Sequence, residues 1–79
     1  YPNPFADKLN VIYSLNEAKY LKIELIDITG RLISTLVNNY INPGEYIIEI
    51  DGNKIKSGLY YLIFSIDYNF YKCSLIIRN

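Results

Sequence analysis

Large apolar side chains recur at every second position along most of the chain, which is the period of a strand with one buried face. Leu9, Val11, Tyr13 and Leu15 alternate with Asn10, Ile12, Ser14 and Asn16, and Leu21, Ile23 and Leu25 alternate with Lys22 and Glu24. The rhythm returns at Tyr46, Ile48 and Ile50, with Glu45 and Glu49 pointing the other way, and again at Tyr60, Leu62, Phe64 and Ile66. A last run, Phe70 to Arg78, is phased with Tyr71, Cys73, Leu75 and Ile77 facing inward. Turn residues punctuate the runs at Asn16-Glu17-Ala18-Lys19, Thr29-Gly30, Asn42-Pro43-Gly44, Asp51-Gly52-Asn53, Ser57-Gly58 and Tyr68-Asn69. In the last of these, Asn69 is the residue expected to take the left-handed conformation. Arg31 to Asn38 keeps Leu32, Ile33, Leu36 and Val37 but breaks the alternation, so a bulge or an edge strand is expected there.

With the opening segment counted as an edge strand, the pattern predicts an all-β, immunoglobulin-like Greek-key β-sandwich of about seven antiparallel strands. The composition agrees, since hydrophobic residues make up 51% of the chain and aromatics 15%, with Ile and Tyr prominent. A length of 79 residues fits a single domain, 1–79, whose only candidate boundary lies just before Tyr1. Eight basic residues balance eight acidic ones, which removes the positive field that would attract nucleic acid. No apolar run reaches the roughly 20 residues of a membrane span. Tyr1-Pro2-Asn3-Pro4 lacks the charged start and apolar core of an export signal; if the chain is a fragment of a longer precursor, that signal would lie at the precursor's N-terminus.

The chemistry of a catalyst is hard to find. There is no histidine, and a single cysteine, Cys73, has no partner within the chain. Glu45 and Glu49 share a strand face, but four residues of extended chain hold them about 13 Å apart, too far for paired acid and base work. Asp51-Gly52-Asn53 is the only stretch that hints at calcium, and it reads more simply as a turn. No catalytic, metal or cofactor residue is expected, and the chain is read as a non-enzyme.

The ordered turns and strands resemble the C-terminal sorting domain of the type IX secretion system. The resemblance rests on the entry Pro2-Asn3-Pro4 and on Ile23-Glu24-Leu25-Ile26-Asp27-Ile28-Thr29-Gly30-Arg31. It continues through Pro43-Gly44-Glu45-Tyr46 and Ser57-Gly58-Leu59-Tyr60-Tyr61 to the basic-flanked strand Lys72-Cys73-Ser74-Leu75-Ile76-Ile77-Arg78. Ser74 departs from a basic residue often seen in the family at that place. Similar strand and turn grammar occurs in the immunoglobulin-like half of flagellar hook-capping proteins.

The resemblance implies a domain carried last on a cargo protein, to which it is covalently fused. That cargo reaches the periplasm by another signal, is recognised there by the secretion translocon, and is delivered to the cell surface. A sortase-like peptidase is implied as a second partner, cutting upstream of Tyr1. The alternative is a permanent immunoglobulin-like spacer or adhesion domain, and a third reading uses Tyr61 and Tyr68 to stack on sugars.

Alternation leaves Ile12, Ile26, Tyr61, Ile63 and Ile76 facing outward. If the third, sixth and seventh strands share a sheet, Ile26, Tyr61, Ile63 and Ile76 form a common apolar patch for a partner. Lys72 and Arg78 on the final strand make a second candidate surface.

Overall fold

In the computed structural model, which describes residues 4–79, the alternating runs become strands. They are β1 (Pro4–Phe5), β2 (Lys8–Leu15), β3 (Lys19–Asp27), β4 (Leu32–Ile41), β5 (Gly44–Asp51), β6 (Gly58–Ile66) and β7 (Asn69–Arg78), with a 3-10 turn at Gly52–Lys54. Two unequal sheets face each other, one ordered β1-β7-β6-β3-β4 and the other β2-β5. The six long strands pair antiparallel, as expected of an all-β sandwich. The two-residue β1 departs from this and runs parallel to β7, with Pro4 opposite Ile77 and Phe5 opposite Arg78. β1 and β7 come from opposite ends of the chain, so no hairpin imposes the antiparallel direction on them. Among the described residues no helix is long and apolar enough to cross a membrane.

The buried core is Leu21, Ile23 and Leu25 of β3, Tyr60, Leu62 and Phe64 of β6, Ile76 of β7, Phe5 of β1 and Ile50 of β5. Leu9, Val11, Tyr13 and Ile48 pack onto it from the smaller sheet, in the phase the alternation predicts. Fully burying such a side chain contributes about 1.5–3 kcal/mol, whereas an exposed ion pair contributes about 0–1 kcal/mol. The pairs Lys8–Glu49 and Lys19–Glu17 join largely exposed carboxylates, so the apolar layer and not surface charge holds the sheets together.

The irregular fourth run is both an edge strand and a bulged one. Register shifts between Ile23 and Glu24 and between Leu25 and Ile26 leave Leu36 and Ile33 as extra residues on β4. Each shift re-aims a side chain, so the neighbours Leu36 and Val37 both pack on the core with Ile33.

The final strand corrects the sequence reading. Ile76, expected outside, is buried to 2% exposure, while Tyr71, expected inside, is 63% exposed and Cys73 is exposed. The pairs Tyr60–Ile76, Leu62–Ser74 and Phe64–Lys72 place Ile76, Ser74 and Lys72 on the inner side, and Tyr71 bulges out between Lys72 and Phe70. Both phases of β7 carry apolar residues, so alternation alone was ambiguous. The two-residue turn before the strand sets its register.

That turn centres on Asp67 and Tyr68, whose φ angles are 50° and 70°, and not on Asn69. Two left-handed residues in succession give the primed turn whose twist suits a hairpin. Asp67 is tied to Tyr20 by backbone and carboxylate hydrogen bonds of 2.8 and 3.0 Å, and Tyr68 stacks on Tyr20 at 4.8 Å. These contacts with β3 hold an unfavourable Tyr68 conformation in place.

Two glycine turns open β5 and β6 in the same way. Gly44 and Gly58 both have φ of 149°, and two residues later Tyr46 and Tyr60 donate their hydroxyls to the carbonyls of Asn42 and Lys56, at 2.7 and 2.6 Å. An added Cβ meets nothing near Gly58 and only ordinary contact with Tyr46 at Gly44, so the backbone angle is what demands glycine. The glycine turns the chain and the tyrosine, four residues beyond its acceptor, pins the turn. Gly58→Ala is expected to lose about 1–3 kcal/mol through backbone strain. Tyr60→Phe is expected to lose about 1 kcal/mol through one hydrogen bond. Urea unfolding of the two variants checks both.

At the end of β3, Asp27 organises the reversal into β4. Its carboxylate accepts from the Thr29 amide and hydroxyl and the Arg31 amide at 2.9, 2.6 and 3.0 Å, and it meets the Arg31 guanidinium at 3.5 Å. The Thr29 hydroxyl chiefly holds the Asp27 pKa below its ordinary value; the two amides and Arg31 act in the same direction, against desolvation. The folded-state pKa is depressed, so this contribution to stability is full above the unfolded value of about 3.9 and is lost as pH falls through the folded one. An NMR titration of Asp27 is expected to give a midpoint under about 3.9. Asp27→Ala is expected to make stability fall less steeply with acid below that pH.

Candidate recognition surface

Because paired residues of adjacent strands share a face, the registers lay out the outer side of the larger sheet row by row. One row runs across four strands as Leu32, Ile26, Tyr61 and Leu75. The next is Thr35, Glu24, Ile63 and Cys73, and a third pairs Leu59 with Ile77. The smaller sheet packs on the opposite side, so no described element covers these rows. Toward the other end the face becomes polar, with Lys22 beside Glu24 at 3.8 Å and Lys22 opposite Asn38 and Ser65.

Three of the four residues expected in the apolar patch, Ile26, Tyr61 and Ile63, therefore lie together on this face. Ile76 belongs to the core, and its place on the face is taken by its neighbours Leu75 and Ile77 and by Cys73. Correct phasing of β7 was the missing signal. Ile12 is exposed as expected, but it sits on the other sheet opposite an equally exposed Ile47.

The basic pair on β7 does not form one surface. Lys72 lies over the Phe64 ring at 5.4 Å from its centroid. Arg78 donates from Nε to the Gly52 carbonyl at 2.8 Å and from Nη1 to the Asn79 carbonyl. Gly52 is itself pressed against the chain between β1 and β2: its amide donates to the Asp7 carbonyl at 2.7 Å, and an added Cβ would fall 2.3 Å from the Ala6 carbonyl oxygen. Arg78 thus ties the last strand to the 3-10 turn and to the entry of the chain.

Of the motif residues, Asp27, Gly30 and Arg31 build the β3–β4 turn, Gly44, Gly58 and Tyr60 build the two tyrosine-pinned turns, and Pro4 enters β1. Pro2 and Asn3 lie outside the described residues. Asp51, the candidate calcium residue, instead caps the 3-10 turn by accepting from the Asn53 amide at 2.9 Å. Among the described residues no group of three or more metal-ligating side chains converges. Tyr61 and Tyr68 do not form a joint stacking platform. Tyr61 sits in the apolar row opposite Leu75, while Tyr68 lies in the turn beyond the Ile66–Asn69 pair, about 17 Å along the hairpin.

Between β2 and β7 the sandwich is open. A cleft of about 750 Å³ runs there, lined by Tyr13, Leu15, Leu62, Phe64, Tyr71 and Lys72 among others. Tyr13 stacks on Tyr46 at 5.4 Å in this region, and burial, with Tyr46 beside it, raises its pKa above the ordinary tyrosine value.

Comparison with curated proteins and with solved structures returns no match. Comparison with protein families matches the secretion system C-terminal sorting domain over residues 1–78. The match runs from the proline-rich entry through each of the turns described above to Arg78. The chain belongs to the family of type IX secretion system C-terminal sorting domains.

Proposed function

We propose that this domain is a non-catalytic sorting module that sends an N-terminally fused cargo through the type IX system to the cell surface, and that the machinery reads the apolar outer face of its larger sheet. Membership of a sorting-signal family supports the first part. The observation that supports the second is the uncovered row Leu32–Ile26–Tyr61–Leu75 with Ile63 beside it. Contiguous apolar surface of this kind marks interaction sites, and aromatic residues such as Tyr61 concentrate binding energy when a partner excludes water from them.

In this reading the cargo crosses the inner membrane by its own export signal, and the domain docks onto the translocon from the periplasm. The peptidase then cuts upstream of Tyr1. The domain contributes shape and apolar surface, and the chemistry belongs to its partners.

A reporter with an export signal, fused ahead of residues 1–79 in a host with this secretion system, tests the reading. The unaltered fusion is expected on the cell surface with the domain absent from the mature reporter's mass. Ile63→Ser combined with Leu75→Ser is expected to lower surface reporter about tenfold or more, as for loss of a binding hot spot, with the urea midpoint showing a folded domain. Ile12→Ser with Ile47→Ser, on the other sheet, is expected to leave export unchanged. Equal export of the two double variants contradicts the assigned face. A surface reporter that retains the domain supports the permanent spacer instead.

A further inference from the structure

The polar end of the larger sheet's outer face carries an aromatic hollow that the apolar rows do not use. The pairs Lys22–Asn38 and Lys22–Ser65 lay a polar row across β4, β3 and β6, and Tyr20, two residues before Lys22 on β3, stands on the same face. Tyr68 stacks on Tyr20 at 4.8 Å with the two rings 13° from parallel. Tyr20, Lys22, Asn38, Ser65 and Tyr68 together line a hollow of about 310 Å³, at the small end of the range for ligand pockets. It lies about 13 Å along β3 from the row of Ile26 and Tyr61, and the turn that carries Tyr68 is about 27 Å along β7 from the Pro4–Ile77 pair.

Two features make the hollow more than packing. Tyr68 holds a φ of 70° and is 83% exposed, although glycine or asparagine takes that conformation at lower cost. Strain of this kind collects at functional positions. Here it sets one face of the ring against Tyr20 and leaves most of Tyr68 bare to solvent. The surroundings are also fixed in advance. The Asp67 carboxylate, next to Tyr68, accepts from the Tyr20 amide at 3.0 Å and meets Lys19 at 3.7 Å, and the Tyr20 hydroxyl donates to Asn38 Oδ1 at 2.6 Å. That bond occupies the Asn38 oxygen and leaves its amide N–H groups to donate to a ligand, beside the Lys22 ammonium and the Ser65 hydroxyl.

The chemistry of the lining selects the ligand. Lys22 stands 3.8 Å from Glu24 and Lys19 3.7 Å from Asp67, so opposite charges offset each other and no field is left to hold a phosphate or a nucleotide. The floor of Lys22, Asn38 and Ser65 is polar, which disfavours a lipid chain. An aromatic wall beside polar donors suits a ring with one C–H face and a rim of hydroxyls. We propose that this hollow binds a neutral hexopyranose, stacked on Tyr68 and hydrogen-bonded by Asn38, Ser65 and Lys22. The site stands apart from the sorting role and does not depend on it.

An NMR titration of the 79-residue chain with maltotriose and with mannotriose tests this. Saturable shifts are expected at Tyr20, Lys22, Asn38, Ser65 and Tyr68 with at least one of the two sugars, at a Kd on the order of 1 mM. Tyr68→Gly, which keeps the turn because glycine accepts positive φ, is expected to weaken binding about tenfold through loss of the ring. Tyr68→Phe keeps the ring and is expected to weaken it about fivefold or less. Ser65→Ala, which leaves the turn untouched, is expected to weaken it about fivefold. Ile12→Ser, on the other sheet, is expected to change nothing. The absence of a saturable shift with both sugars overturns the proposal, as does equal binding by the native and Tyr68→Gly chains. Salt-sensitive binding of trigalacturonate in place of the neutral sugars also overturns it, because it assigns the hollow to an anion.

Discussion

The antiparallel register between β6 and β7 governs both faces of the larger sheet. Pairing Tyr60 with Ile76 sends Ile76 into the core beside Leu62 and Ile23, and it sends Leu75, Cys73 and Ile77 outward to join Tyr61 and Ile63. A slip of one residue would exchange the two sets, bury the cysteine and expose Ile76. The register is anchored at its closed end by Asp67 and Tyr68, which are held against Tyr20 and Lys19 of β3, and at its open end by Arg78 reaching the Gly52 carbonyl. Small domains have little apolar surface to spare, so such polar fasteners at strand ends decide how the limited core is used.

Most of the fold was legible because one face of each strand is buried, which writes a period of two into the chain. β2, β3, β5 and β6 follow that period in the phase expected, from Leu21, Ile23 and Leu25 to Tyr60, Leu62 and Phe64. β4 was legible only as an irregularity, since two bulges let Ile33, Leu36 and Val37 all reach the core. β7 was misphased because its inner positions next to the open side hold Lys72 and Ser74, while its outer positions hold Cys73 and Leu75. Polar residues inside and apolar residues outside invert the usual pattern wherever a sheet lacks a full cover. Gly52 hid for another reason. Its constraint is close approach of a distant backbone, which leaves no periodic trace.

The family motifs acquire separate physical jobs in the structure. Asp27, Thr29 and Arg31 form a hydrogen-bonded reversal, and the two Gly-x-Tyr units are repeats of one device in which a turn is pinned by a hydroxyl. These residues shape the scaffold. The surface proposed for recognition is drawn from different positions, Ile26, Tyr61, Ile63 and Leu75, carried on strands whose other faces build the core. A sheet stiffened from beneath holds those positions as a rigid display.

The register of β7 is tested most directly by thiol accessibility in the folded protein, because Cys73 and position 76 lie on opposite faces of the same strand. The native Cys73 is expected to react with a thiol reagent within about a factor of ten of its rate in the unfolded chain. The thiol introduced by Ile76→Cys in a Cys73→Ser background is expected to react only as fast as the fold opens. A protected Cys73 together with a reactive thiol at position 76 would contradict the register, and with it both the assigned core and the proposed recognition face.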